Sequence, residues 1–209
     1  MVLLVEGAAE KKSVGEFIKR WLDARLSQRI GIQTVNMGGF GHFKNKAAKK
    51  ARMHLDGPDK NRILAVIGLL DLYGPQASDF YPKYKQSVEE RYEWAMKHFQ
   101  NQVDHPRFRM FFAVHDFEAW LFSQPDIFPA EIQNNLPDNL NQPESINFYK
   151  PPSKMLDELY RSHRHKCYKK TVDGPKLFQK LEPSIAYDKC PHLKAMLDTM
   201  LDLARRSVL

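Results

Sequence analysis

Two cysteines, Cys167 and Cys190, in 209 residues can pair with each other but are too few for a disulfide-stapled secreted scaffold. No apolar run approaches the ~18 residues that a membrane span requires, which argues against an integral membrane protein. Met1 leads directly into VLLVEG without a basic leader or a cleavage site, so no signal peptide is expected and the cytoplasm is the expected location. There is no P-loop, GxSxG elbow or GxGxxG fingerprint, and neither a CxxC pair nor an HExxH motif. His163, His165, Cys167, Cys190 and His192 match no standard zinc spacing, and HRHKC reads as part of a basic patch. Internal repeats and low-complexity tracts are also missing.

What is present is a chain able to build a core: 43% of residues are apolar and 11% aromatic, in a length that fits one sizeable domain or a domain with an appendage. Apolar runs at 2–5, 32–37, 63–72 and 107–114 read as strands, and the third is continuous enough for a strand buried on both faces. Between them, helical spacing covers residues 8–29, a basic helix is expected over 43–55, and residues 84–101 look helical. FEAWLF begins a further helix. Strand and helix alternate up to residue 124, so the expected fold is α/β, a parallel sheet flanked by helices. From residue 125 onward, prolines punctuate short segments without strong strands. Helices are expected over 153–161, 174–181 and 191–206, so 125–209 reads as a mainly helical basic extension packed on a 1–124 core.

Three blocks set an acid at or just beyond a strand: LLVEG, LLDLYG and HDFEAWLF. If those strands are neighbours in one sheet, Glu6, Asp71 and Glu118 emerge together at its carboxyl edge, where open α/β sheets bind ligands. Clustered carboxylates raise one another's pKa unless a cation lies between them, and an all-oxygen cluster suits Mg²⁺ or Mn²⁺. Glu10 stands one helical turn after Glu6 and can join the site, although an acid at a helix start is common for other reasons. His115 and Glu118, three apart on the expected helix, would share one face as ligands or as acid and base.

The formal net charge of +7 is unevenly spread. One basic stretch at 42–62 includes Lys44, Lys46, Lys49 and Lys50, and a second at 150–180 includes Arg161, Arg164 and Lys169. Two such runs beside a carboxylate cluster favour nucleic acid as partner over plain solvated faces.

In order along the chain, VEGAAE, DLYG, HDFEAWLF, PESIN, PSK, YKKTVDG and CPHL resemble the motifs of a TOPRIM-like bacterial family of about this length. Those motifs are VEGxTE, DxYG, HEFEAxLF, PExIN, PSK, YxKxxxG and CPHF. TOPRIM is the Rossmann-like fold shared by topoisomerases, primases and OLD-type nucleases. The resemblance implies a site of Glu6, Glu10, Asp71, His115 and Glu118, with Lys154 and Lys170 as phosphate or transition-state contacts. It further implies a Mg²⁺-dependent nuclease acting on DNA or structured RNA such as tRNA. It also implies an ABC-type ATPase partner in antiphage defence, where the nuclease is the toxic effector. Two departures are Ala9 for threonine and Asp116 for glutamate. A third is weightier: Tyr73 stands where nucleases of this fold carry the second aspartate of a DxD pair. One metal or two, and a homodimer or a monomer, therefore stay open. So does an alternative, a degenerate module that binds nucleic acid or an ATPase without turnover. A small-molecule phosphohydrolase using the same acidic edge is a further rival.

Overall fold

A computed structural model describes residues 1–73, 80–138, 140–146 and 150–206. Gly74 of DLYG, most of the Pro- and Gly-rich loop 74–82 and Asn147 of PESIN lie outside the described residues.

Four strands, β1 (Val2–Val5), β2 (Gln33–Asn36), β3 (Val66–Asp71) and β4 (Phe108–Ala113), form one sheet. The sheet is wholly parallel, in the order β2-β1-β3-β4. β3 pairs with β1 on one side and β4 on the other, and five of its six residues are buried, which is why its sequence is nearly all apolar. The edge strand β2 is exposed or half-buried throughout. The chain leaves β1 toward β2 and leaves β3 toward β4, so the connections part between the carboxyl ends of β1 and β3. That crevice is the topological switch point where doubly wound sheets take their ligands.

Helices cover both faces. α1 (Ala8–Asp23) buries Val14, Phe17, Ile18, Trp21 and Leu22 on the face that presents Leu3, Val5, Ile67 and Leu69. α2 (Phe40–Leu55) and α3 (Val88–Val103) cover the opposite face, where Phe43, Ala47, Phe99 and Val103 meet Val2, Leu4, Val66 and Leu70. Ser87 and Glu90 form a reciprocal capping box at the start of α3. α1 ends at Asp23, short of the expected residue 29. There Arg25 and Leu26 both donate to the Leu22 carbonyl, and the chain turns back to start β2.

The helical second half packs on the α1 face. It comprises α4 (Ala130–Gln133), α5 (Pro152–Arg164), α6 (Asp173–Lys180), α7 (Pro183–Lys189) and α8 (Pro191–Arg206). Phe17 of α1 stacks on Trp120 at 5.9 Å and meets Phe178 of α6 edge-on at 5.7 Å. The Arg20 guanidinium donates to the carbonyls of Phe178 (2.6 Å) and Leu181 (2.8 Å), fixing α6 to α1. Cys190 is buried, Cys167 is exposed, and the two are not bonded. Among the described residues no helix is long and apolar enough to cross a membrane.

The expected α-helix after β4 is instead a 3-10 helix, Phe117–Ser123, with every residue buried. His115 precedes it with φ of 65° and Asp116 is extended, so neither belongs to the helix. The cause is an anchor at its first residue: the Phe117 amide donates to Asp71 Oδ1 at 3.0 Å, tying the turn to the end of β3. His115 and Glu118 therefore do not share a helical face.

Candidate acidic site at the carboxyl edge of the sheet

Glu6 follows β1 directly. Gly38 and Gly39 take φ of 82° and 104°, values that only glycine adopts freely. This turn brings the Gly39 amide to the Glu6 carbonyl (2.8 Å) and sets the start of α2 beside the Glu6 carboxylate, which accepts from the Phe40 amide. Burial raises the Glu6 pKa, and Glu10 adds to the rise; Lys170 and the Phe40 amide pull it back. Glu10 itself is buried in the first turn of α1.

Asp71 ends β3 and Glu118 lies in the 3-10 helix, 0% exposed. Burial drives the Asp71 carboxyl well above its ordinary range. Lys170 opposes this, and Asp116, Glu10 and Glu118 reinforce it. Burial likewise pushes Glu118 up to about 8, with Asp116 and Glu10 raising it and Lys170 lowering it. The Lys170 ammonium stands 2.9 Å from Glu118 Oε2 and 3.7 Å from Asp71 Oδ2. It also lies 5.1 Å from the centre of the Phe117 ring. Its own burial favours the neutral amine, but Glu118, Asp71 and Asp116 outweigh that and hold it charged. Among the described residues, no hydrogen-bond donor reaches Glu118 Oε1 or Asp116 Oδ1.

Asp116 is the residue that sequence reasoning missed. It is 3% exposed, accepts from the Ser153 amide at 3.1 Å through Oδ2, and acts electrostatically on Asp71, Glu118 and Lys170. The available signal was the one used for Asp71, an acid embedded among apolar residues. Tyr168 is the second omission. Its hydroxyl is buried so close to α6 that a Cβ on Gly174 would lie 3.0 Å from it, which accounts for the glycine of YKKTVDG. Burial, with Glu118 and Asp116 nearby, holds the Tyr168 phenol protonated.

The other expected residues distribute less tightly. Lys154, exposed in the first turn of α5, sits 5.9 Å above the Tyr73 ring, at the rim of the cluster. His115 is buried and lines a cavity of about 690 Å³ with Glu144, Lys189 and His192. Burial lowers its pKa, with Asp116 and Glu144 opposing, so the ring is neutral near pH 7. Lys44, Lys46, Lys49 and Lys50 lie on α2, whereas Arg161, Arg164 and Lys169 lie on α5 and the loop after it, across the sheet. The two basic runs thus form separate surfaces. Arg161 is engaged by Asp157 at 2.8 Å, and Arg164 lies 5.9 Å from the Tyr160 ring.

The donors at this edge are all carboxylate oxygens, two of them buried without hydrogen bonds, and that chemistry fits a hard divalent cation. Among the described residues, however, no three His, Cys, Asp or Glu side chains converge as a ready ligand set, and Lys170 stands between Asp71 and Glu118.

Comparison with the curated proteins and with the solved structures gives no match. The family model described as Domain of unknown function (DUF4276) matches residues 5–201, a span that takes in both the acidic edge and the helices packed against it, and the chain belongs to that family.

Proposed function

We propose that this protein is a metal-dependent phosphodiesterase that cleaves nucleic acid. One observation carries the reading: buried, frustrated carboxylates gather with a lysine at the switch point between β1 and β3. Asp71, Glu118 and Glu6, with Glu10 beside them, would hold Mg²⁺ or Mn²⁺. When bound, such an ion supplies Lewis acidity at a phosphoryl oxygen and a water of lowered pKa. The chain's own part is placement. Asp71 and Asp116 fix the 3-10 turn and the start of α5, so Glu118 and Lys154 are held relative to β3. Lys170 and Lys154 supply positive charge for a phosphate, and the separate lysine-rich surface of α2 offers contacts to a polyanion backbone. The motif resemblance adds an ABC-type ATPase partner and a role as effector of antiphage defence. His115 has no part in this proposal, because its ring lines the Glu144 cavity.

A second reading is a module that binds nucleic acid or an ATPase without turnover. It is favoured by Lys170, which already pairs with Asp71 and Glu118, and by Tyr73 two residues after Asp71.

The test is incubation of the purified protein with Mg²⁺ or Mn²⁺ and end-labelled duplex DNA, single-stranded DNA or tRNA. Asp71→Asn and Glu118→Gln variants are run in parallel. Metal-dependent cleavage lost in both variants is the expected result. Equal cleavage by the variants overturns the site assignment, and binding without cleavage favours the second reading.

A further inference from the structure

Lys170 is the only ammonium shown in contact with Asp71 and Glu118 among the described residues, and its position has a consequence for any cation drawn to them. We infer that Lys170 is a built-in counter-ion: it holds the place of a divalent cation in the metal-free protein and is displaced when the metal binds. The inference rests on the metal-dependent reading above and adds how that site is loaded.

Three features make the lysine a replaceable occupant rather than a fixed strut. The first is charge. One ammonium faces both Asp71 and Glu118, so a single cationic head is shared between two carboxyl groups and leaves further oxygens of the cluster without a donor among the described residues. A divalent ion brings twice the charge and accepts several oxygen donors, which an ammonium cannot match at Glu118 Oε1 and Asp116 Oδ1. The second is the exit. The Lys170 side chain is 36% exposed, while Glu118 is fully enclosed, so the lysine has a way to water that the carboxylate lacks. Its four-carbon stem is flexible, and its head is strongly hydrated once released.

The third is the mounting. Lys170 lies between α5 and α6, outside both helices. The loop around it is pinned at its neighbours. Lys169 N–H donates to Asp173 Oδ2 at 2.9 Å, and the Lys169 carbonyl accepts from the Val172 and Asp173 amides at 2.9 and 2.7 Å. Tyr168 N–H donates to Asp157 Oδ1 at 3.0 Å. The side chain can therefore swing without moving the backbone. Once displaced it remains tethered at the site's edge, placed to meet a phosphate oxygen. The metal-free protein then rests with its one ammonium at the cluster, and the same lysine becomes a substrate contact only after the metal has arrived.

The test compares Mn²⁺ binding, by calorimetry on the full chain, for wild type, Lys170→Met and Lys169→Met, together with metal-free melting. Lys169→Met removes an equal charge one residue away. Lys170→Met is expected to bind Mn²⁺ about tenfold or more tightly than wild type and to melt lower without metal, with Lys169→Met within about twofold of wild type. Should Lys170→Met fold poorly, wild type alone decides. Reductive methylation of the Lys170 amine, followed by peptide mass spectrometry, is expected to run severalfold faster with saturating Mn²⁺ than with chelator. Equal or weaker Mn²⁺ binding by Lys170→Met, or an amine no more reactive with metal, overturns the inference while wild-type binding leaves the metal-dependent reading standing. Absence of Mn²⁺ binding in every variant overturns both.

Discussion

Two glutamates, Glu118 of HDFEAWLF and Glu144 of PESIN, are both buried. Glu144 is saturated. It accepts from the His192 amide (2.9 Å), the Leu193 amide (3.2 Å) and the His192 ring at 3.0 Å, and so caps the start of α8. A carboxylate at a helix start is in a favourable field and satisfies otherwise orphaned N–H groups. Glu118 is the opposite case: among the described residues no donor reaches its Oε1, and Oε2 is met by the Lys170 ammonium at 2.9 Å. The lesson is that burial alone does not mark a functional acid. A satisfied buried acid is part of the architecture. An unsatisfied one is a cost the fold tolerates, and tolerated frustration is where chemistry is found.

The sharpest way to break the comparison is to neutralise each glutamate. Under the proposed function, Glu118→Gln loses about 10³-fold or more in cleavage rate, worth about 4 kcal/mol of barrier. Its metal-free melting temperature is expected to equal or exceed that of wild type, since folding no longer has to bury an ionisable acid. Cleavage within tenfold of wild type would end the catalytic assignment. Glu144→Ala should show the reverse pattern: about 2–4 kcal/mol of stability lost with the α8 cap, read by urea unfolding, and no change in Mn²⁺ affinity. A stable Glu144→Ala protein would show that the cap is ornamental.

A smaller effect follows from titration. The Glu118 pKa is raised in the folded protein from about 4.5 to about 8. Below about 4.5 both folded and unfolded chains are protonated there, and the contribution to stability is fully present. As pH rises, the unfolded chain releases its proton first, so that contribution is lost by about pH 8. Asp71, raised in the same direction, adds to the trend. Metal-free melting should therefore fall across this window, and fall less in Glu118→Gln; parallel profiles would place the raised group elsewhere. Glu144→Ala should retain the wild-type slope. The smallest effects belong to the surface. Lys49→Glu and Lys50→Glu on α2, against Lys169→Glu across the sheet, should each weaken duplex binding severalfold and reduce the salt dependence by about one counter-ion. Loss confined to one side would identify which basic surface the polyanion follows.

Much of this was readable along the chain. The apolar runs placed β1, β3 and β4, and their neighbouring acids placed Glu6 and Asp71 at one edge. The final helix, α8, matches its apolar periodicity end to end. HDFEAWLF misled, because its helical spacing is overridden by the bond from Phe117 to Asp71, a partner on another strand. α7 was not anticipated; it begins at Pro183 and spans only Pro183–Lys189, too short for periodicity to declare itself. PESIN and CPHL were visible as separate motifs, but nothing local says that Glu144 of one caps the helix that opens with the other.

The division has a physical reason. Apolar patterning and strand-end acids are local properties, written within a few residues, so the sequence by itself determined a parallel α/β sheet with an acidic carboxyl edge. Whether a given acid is satisfied depends on donors that arrive from distant segments once the core has packed. Only the tertiary structure could decide that Glu144 is closed by α8, that Asp116 is held from α5, and that Glu118 faces Lys170.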